Sequence, residues 1–234
     1  MNKIAIVTGA SKGIGLEISK KLNEMNFNVI GIARNFSNTN YDHPLFTKFH
    51  FDLLLINEYE DKLKTLKNSK ELNILVNCAG TGLFGLHEEL KFNEINKMLT
   101  LNFVSPILLT KLFLRDLKNN KGYIFNISSV TALQDSPLAS AYSASKAGLT
   151  QFGNCIFSEG RKNGLKVINI HPDITSSSFY DSTWFQEESD DKESFLECEE
   201  VANTIEFILK QKESTIITNI TIKPQKHRIK KKKF

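Results

Sequence analysis

Long hydrophobic runs, clustered cysteines and internal repeats are all missing from this 234-residue chain. No apolar stretch approaches the ~18 residues that a bilayer span needs, so no membrane segment is expected. The opening Met1–Thr8 run briefly resembles a secretory leader. Thr8-Gly9-Ala10-Ser11-Lys12 cuts it short, however, and no cleavage site follows, which points to a cytoplasmic address. Cys78, Cys155 and Cys198 are odd in number and widely spaced. That spacing speaks against a disulfide framework and against a metal site. With neither linker nor repeat, one domain accounts for the length.

Charge is unevenly placed. Residues 223–234 hold seven bases (Lys223, Lys226, Arg228 and Lys230 to Lys233) and no acid; taking these from the 30 bases leaves 23 against 26 acids. Residues 1–222 are therefore mildly acidic and the basicity belongs to the tail; a domain over 1–224 with a basic tail at 225–234 is expected. A basic run of this kind can hold nucleic acid or an anionic surface. A solvated, flexible end explains it better, so a nucleic-acid partner is not expected. A second block, Glu187 to Glu200, carries eight acids against Lys192. It could pair loosely with the tail, although an exposed loop and a helix start account for it equally.

What the chain does contain is alternation. Lys3–Thr8, Asn28–Ala33, Phe46–Phe51, Asn73–Asn77, Gly122–Ser128, Leu165–His171 and Thr215–Ile222 read as strands. Helical spacing marks Gly15–Met25, Asn57–Leu66, Phe92–Leu117 (where Pro106 either breaks the stretch or sits early in a second helix), Ser140–Lys162 and Glu200–Lys210. Runs such as Ile74-Leu75-Val76 suit strands covered on both faces. Alternating units of this length predict an α/β, doubly wound, mostly parallel seven-stranded sheet flanked by helices.

Four features carry chemistry. Gly9, Gly13 and Gly15 lie in the turn after the first strand, where glycine lets the backbone approach a pyrophosphate and a helix N-terminus favours anions. The second strand ends in Ala33-Arg34-Asn35, with a guanidinium where NAD-binding chains place an acid; Lys12 adds a second cation. NADP(H) is therefore expected over NAD(H). Tyr142 and Lys146 lie four residues apart on one helix face, where an ammonium would lower the phenol's ordinary pKa of about 10. Asn126-Ile127-Ser128-Ser129 closes a strand at its carboxyl end, where ligands of open α/β sheets sit.

In their order along the chain these pieces resemble the short-chain dehydrogenase/reductase family, and the resemblance spans nearly the whole sequence. Thr8-Gly9-(x3)-Gly13-Ile14-Gly15, Asp52-Leu53, Asn77-Cys78-Ala79-Gly80, Asn102, Ser129, Tyr142 and Lys146 all match. The resemblance implies a Rossmann-like fold and an NADPH-dependent reductase acting on a small-molecule ketone or aldehyde, or on the alcohol in reverse. Tyr142 would exchange the proton, Lys146 would lower the tyrosine pKa and bind ribose hydroxyls, and Ser129 would polarise the carbonyl. Asn102 would hold a water linking Lys146 to solvent. Gly9, Ser11, Lys12, Gly13, Ile14, Gly15, Arg34, Asp52, Leu53, Asn77, Ala79 and Gly80 would contact cofactor, with Pro172 and Ile174 on its nicotinamide side. The family further implies a homodimer or homotetramer packed through 92–117 and 140–162. Two departures stand out: Asp173 replaces the usual glycine after Pro172, and Cys78 replaces an asparagine. Aromatics at Phe179, Tyr180, Trp184, Phe185 and Phe195 fall where the family carries a substrate lid, and Leu133, Gln134 and Phe84 could line the same cavity. A non-catalytic NADPH-binding sensor is the rival reading, since a fold does not itself specify activity.

Overall fold

A computed structural model describes residues 3–66, 71–181 and 183–232. Its centre is a parallel sheet of seven strands: β1 (Ile4–Thr8), β2 (Asn28–Ala33), β3 (Phe46–His50), β4 (Leu72–Asn77), β5 (Tyr123–Ile127), β6 (Lys166–Pro172) and, later in the chain, β10 (Asn219–Ile222). Their spatial order is β10-β6-β5-β4-β1-β2-β3, which reverses direction between β1 and β4. Three small strands lie between β6 and β10: β7 (Thr175–Ser176), β8 (Phe185–Glu187) and β9 (Leu196–Glu197). A last one, β11 (Ile229–Lys231), follows. The helices are α1 (Gly13–Glu24), α2 (Tyr59–Lys62), α3 (Phe92–Leu99), α4 (Ser105–Asn119), α5 (Ser140–Gly160) and α6 (Cys198–Leu209).

Alternation along the strands builds two cores. Ala5 and Val7, with Val76 and Ile168, face Ile18 and Leu22 of α1 and Val201 and Ile205 of α6. Ile6, Leu75, Ile124 and Val167 face the other way, against Leu109 and Phe113 of α4 and Ile156 of α5. Both faces are covered, which is why the strands read as near-continuous apolar runs. The doubly wound, single-domain architecture expected from the sequence is what the chain adopts.

Several local expectations shift. Helix 57–66 exists only as α2 between tight turns at Ile56–Glu58 and Lys64–Leu66. The final strand shortens to Asn219–Ile222. Phe92–Asn119 does not break at Pro106; a π-helical segment, Thr100–Val104, precedes it instead. Proline has no N–H to donate, and the wider turn absorbs the mismatch without ending the helix. Phe92–Asn119 is long and apolar enough, by length and composition only, to cross a membrane. Here Leu109, Leu112, Phe113 and Leu117 spend that apolar face on the sheet.

The tail departs most. Rather than a frayed end, Ile229–Lys231 pairs antiparallel with Phe185–Glu187. Lys233 and Phe234 lie outside the described residues.

Candidate active site

One cleft of about 1350 Å³ runs along the carboxyl ends of the sheet strands, the place where an open α/β sheet presents its loops. Its first wall is the turn after β1. Gly9 adopts φ +69, and a Cβ there would lie 2.9 Å from the Ala79 backbone Cα, so both conformation and space demand glycine. Thr8 Oγ1 holds the adjoining loop by accepting from the N–H groups of Cys78 and Ala79 at 2.9 and 3.0 Å. α1 starts at Gly13, with no side-chain hydrogen bond from its N-cap Lys12 and no acid in its first turn. Its leading N–H groups therefore remain available to an anion, the condition a pyrophosphate requires. Ser11, Lys12, Ile14 and Gly15 line the same wall. Arg34 is exposed at the end of β2 and lines the cleft with Asp52 and Leu53; Asp52 Oδ1 accepts from Leu54 N at 3.0 Å. Arg34 and Lys12 are the cationic side chains at this end of the cleft, and the free amides of α1 fit the pyrophosphate of a dinucleotide.

The far wall holds the expected chemical groups. Tyr142 and Lys146 are buried on α5, with the Lys146 Nζ 5.9 Å from the Tyr142 ring centre. Lys146 donates to the Ile127 carbonyl at 2.8 Å, tying the helix to the end of β5. Ser129 is close enough to the Tyr142 hydroxyl to favour its ionised form, and its Oγ accepts from Thr131 N at 3.2 Å and from Thr131 Oγ1 at 3.1 Å. Ser128 has a different occupation. Its Oγ donates to the Lys146 carbonyl at 3.0 Å and shares a 2.8 Å bond with Thr150. Of the two serines, Ser129 is the one directed at the phenol.

The expected electrostatics are corrected by burial. The phenol of Tyr142 is pushed up to about 12 by desolvation, against a smaller lowering from Ser129. Lys146 is pushed down from 10.5 to about 8, again by burial, with Cys78 opposing. Each group resists its charged form because a dry site solvates neither phenolate nor ammonium. Proximity alone predicted a lowered tyrosine, and it omitted this larger cost. The Cys78 thiol is likewise raised to about 12 by burial, which makes it an inert side chain at neutral pH.

Two expected contacts lie outside the cleft. Asn77 donates to Asn126 Oδ1 at 2.9 Å, and Asn126 to Asn169 Oδ1 at 3.0 Å, within a buried row across β4, β5 and β6. The sheet register places these three side by side, and amide pairing beneath α5 engages the Asn77 side chain in the interior. Asn102, in the π-helical segment, clamps Thr81 with two 2.9 Å bonds to its backbone and donates to Ser145 Oγ at 3.3 Å. A Cβ on Gly80 would come within 3.2 Å of Asn102 Oδ1, so this clamp also shapes the floor beside Lys146.

The lid closes on the phenol. Phe84 and Phe179 approach the Tyr142 ring at 5.3 and 5.9 Å between centroids, and Phe185 packs on Phe84 at 5.0 Å. Tyr180 and Trp184 join through Phe185 at 5.4 and 4.9 Å. Phe84, Phe179, Tyr180, Trp184 and Phe185 line the cleft, whereas Phe195, Leu133 and Gln134 do not. Pro172, Asp173 and Ile174 also line it. At the position of the missing glycine, Asp173 Oδ1 accepts from Ile174 N at 2.8 Å and lies 3.2 Å from His227. Sequence reasoning missed Leu138, His227 and Ile229 as lining residues. Leu138 holds a left-handed φ of 64, for which a leucine gives no sequence signal.

The family model described as short chain dehydrogenase matches residues 3–188. An uncharacterized oxidoreductase of Staphylococcus epidermidis is 26% identical over 228 residues, covering 95% of this chain and 97% of that protein. Among solved structures, an alcohol dehydrogenase from Thermococcus sibiricus, complexed with 5-hydroxy-NADP, superposes with TM-score 0.87 at 22% identity, covering 97% of this chain and 99% of that one. A 4-hydroxyisoleucine dehydrogenase complexed with NADH reaches TM-score 0.81 at 25% identity over 95% and 97% of the respective chains.

Proposed function

The chain belongs to the short-chain dehydrogenase/reductase family, and from that premise we propose that it is an NADP(H)-dependent reductase of an apolar ketone or aldehyde. The observation that carries this reading is a protonated phenol at one end of a cleft whose other end is an uncapped helix N-terminus flanked by two cations. A nicotinamide dinucleotide bound along that cleft supplies the hydride. The protein's part is to hold the proton and the geometry. Tyr142, with its pKa near 12, keeps its proton at neutral pH and gives it from Oη to the carbonyl oxygen. Ser129 orients that oxygen by a second hydrogen bond. Lys146, still mostly charged at neutral pH, favours the phenolate that donation leaves behind. Asn102 is a positioning residue acting through Thr81.

Relatives named above carry both NADP-type and NADH ligands, so the preference for NADP(H) rests on Arg34 and Lys12. The aromatic lid favours an apolar substrate and excludes water during transfer. Free cysteines, one of them the exposed Cys155, suit a reducing cytoplasm. Half-buried Phe103 and Leu108 before and on α4, and Phe152 on α5, favour association of two or four copies through these helices, for light scattering to check.

The deciding experiment follows NADPH and NADH oxidation against aliphatic, aromatic and acyl-thioester carbonyls, with Tyr142→Phe alongside. Turnover should vanish in the variant while NADPH binding stays nearly intact. A variant that reduced carbonyls as fast as the parent would refute the assignment.

A further inference from the structure

Beyond β10 the chain crosses the mouth of the cleft and grips the lid by its backbone. Lys226 N donates to the Glu193 carbonyl at 2.8 Å, Ile229–Lys231 pair with Phe185–Glu187, and Lys232 N donates to the Trp184 carbonyl at 2.9 Å. The Lys232 ammonium adds bonds to the carbonyls of Tyr180 and Asp181. Charge follows the same path. Lys226 pairs with Glu193 and lies 3.5 Å from Asp191, Arg228 lies 3.4 Å from Asp191, and Lys230 lies 3.2 Å from Glu188. Both charge blocks noted in the sequence are thereby used on each other.

The gripped strand is the one that touches the chemistry. Phe185 packs edge-on against Phe84, and Phe84 lies tilted against Tyr142. His227 and Ile229 line the cleft themselves, and His227 is joined to Asp173 beside Pro172. Backbone pairing fixes the strap's register, while exposed ion pairs are individually weak and screened by salt. Such a contact restrains the lid yet can release it.

We propose that residues 226–232 form the outer wall of the substrate end of the cleft and clamp the aromatic lid through ion pairs, thereby setting the size of carbonyl compound that reaches Tyr142. The clamp is read from geometry; the word carbonyl rests on the function proposed above. Ile229 and His227 then act as specificity-determining residues, and the basic cluster has an intramolecular partner in the acidic block.

Trp184, the only tryptophan in the sequence, reports on the lid directly. Its quenching by acrylamide should be compared in the parent, in Lys226→Gln/Arg228→Gln/Lys230→Gln, and in a chain lacking 225–234. The three charged side chains are about half exposed or more, so the triple variant keeps the folded core. Quenching should rise about threefold in both altered proteins, and the parent at high salt should move toward them. With NADPH, the parent should prefer benzaldehyde to benzophenone by KM, and the altered proteins should narrow that preference about tenfold at unchanged NADPH affinity. Equal quenching in all three proteins at both salt levels would overturn the clamp. Unchanged selectivity despite increased quenching would overturn the size filter. If the parent oxidised NADPH with neither compound while quenching still responded, the carbonyl assignment would fall and the clamp would stand.

Discussion

Lys146→Met exchanges a buried ammonium for an apolar side chain of similar length at a position only 4% exposed. The folded chain holds that lysine near 8 where the unfolded chain holds it at 10.5, because burial disfavours the charge. A gap of that size corresponds to roughly 3 kcal/mol against folding at pH 7. Removing the ammonium also strips the Ile127 carbonyl of its 2.8 Å donor. An orphaned buried carbonyl costs about 1–2 kcal/mol, so the net expectation is a gain of about 1–2 kcal/mol at neutral pH. In a chain of this length that raises Tm by about 2–8 °C. The sign depends on pH. Below 8 both folded and unfolded lysines are protonated and the penalty is complete. Between 8 and 10.5 the unfolded chain binds more protons, so the parent gains stability relative to the variant as pH rises. Above that window the penalty is gone, while the orphaned carbonyl remains, and the parent becomes the more stable protein. Urea unfolding of both proteins at pH 7 and near pH 10, monitored by circular dichroism, tests this. A variant less stable than the parent at pH 7, or a difference that does not move with pH, would refute the argument. Turnover should be lost throughout, an instance of stability traded against a strained active site.

Two further substitutions separate roles that sequence leaves adjacent. Arg34→Asp should raise the KM for NADPH about ten- to hundredfold, the value of one or two charge-assisted hydrogen bonds, while changing NADH much less; equal losses for both cofactors would remove Arg34 from phosphate recognition. Ser129→Ala should lower kcat about a hundredfold with little change in melting. Ser128→Ala should do the reverse, costing about 1 kcal/mol through the two buried hydrogen bonds it removes, to the Lys146 carbonyl and the Thr150 hydroxyl. Identical kinetic losses in the two serine variants would contradict the geometry.

How much of this was legible beforehand follows from what is local. The turn at Gly9 was legible because a left-handed φ and a close backbone approach both exclude side chains, and its place after an apolar run set its neighbours. The sheet strands were legible because burial on both faces leaves runs such as Ile74-Leu75-Val76. The side-chain bond of Asn77 was not legible because it depends on register with Asn126, a relation across 49 residues. The lid strands were missed because elements of two or three residues carry no period. Both charge blocks were visible in composition, but their pairing, from Lys230 to Glu188 for example, spans 42 residues. The tyrosine pKa was misread for a related reason: spacing of four residues reports distance, whereas desolvation depends on Phe84 and Phe179 arriving from elsewhere in the chain.

The two displaced pKa values and the closed lid describe a single arrangement. Phe84 and Phe179 dry the space around Tyr142, and a dry space favours phenol over phenolate and amine over ammonium. Among the described residues no carboxylate pairs with Lys146, which donates to the Ile127 carbonyl and has the Cys78 thiol near enough to favour its charge. An ion pair there would have held the lysine charged and spared the fold its burden. It would also have taken the ammonium's field away from the phenol. The cost is carried instead by the hydrogen-bond network beneath α5. Asn169 donates to the Thr150 carbonyl at 3.2 Å and to Asn154 at 3.0 Å, and Thr150 continues to His171 at 3.1 Å. Gly153 lets the helix settle onto those amides, since a Cβ there would meet Asn126 Nδ2 at 2.6 Å. These bonds hold Tyr142 and Lys146 at fixed positions over β5, so neither group can escape desolvation by swinging toward water. What rigidity beneath the helix maintains, the lid completes from above, and the proton on Tyr142 is kept for a carbonyl oxygen because the surroundings offer its loss so little compensation.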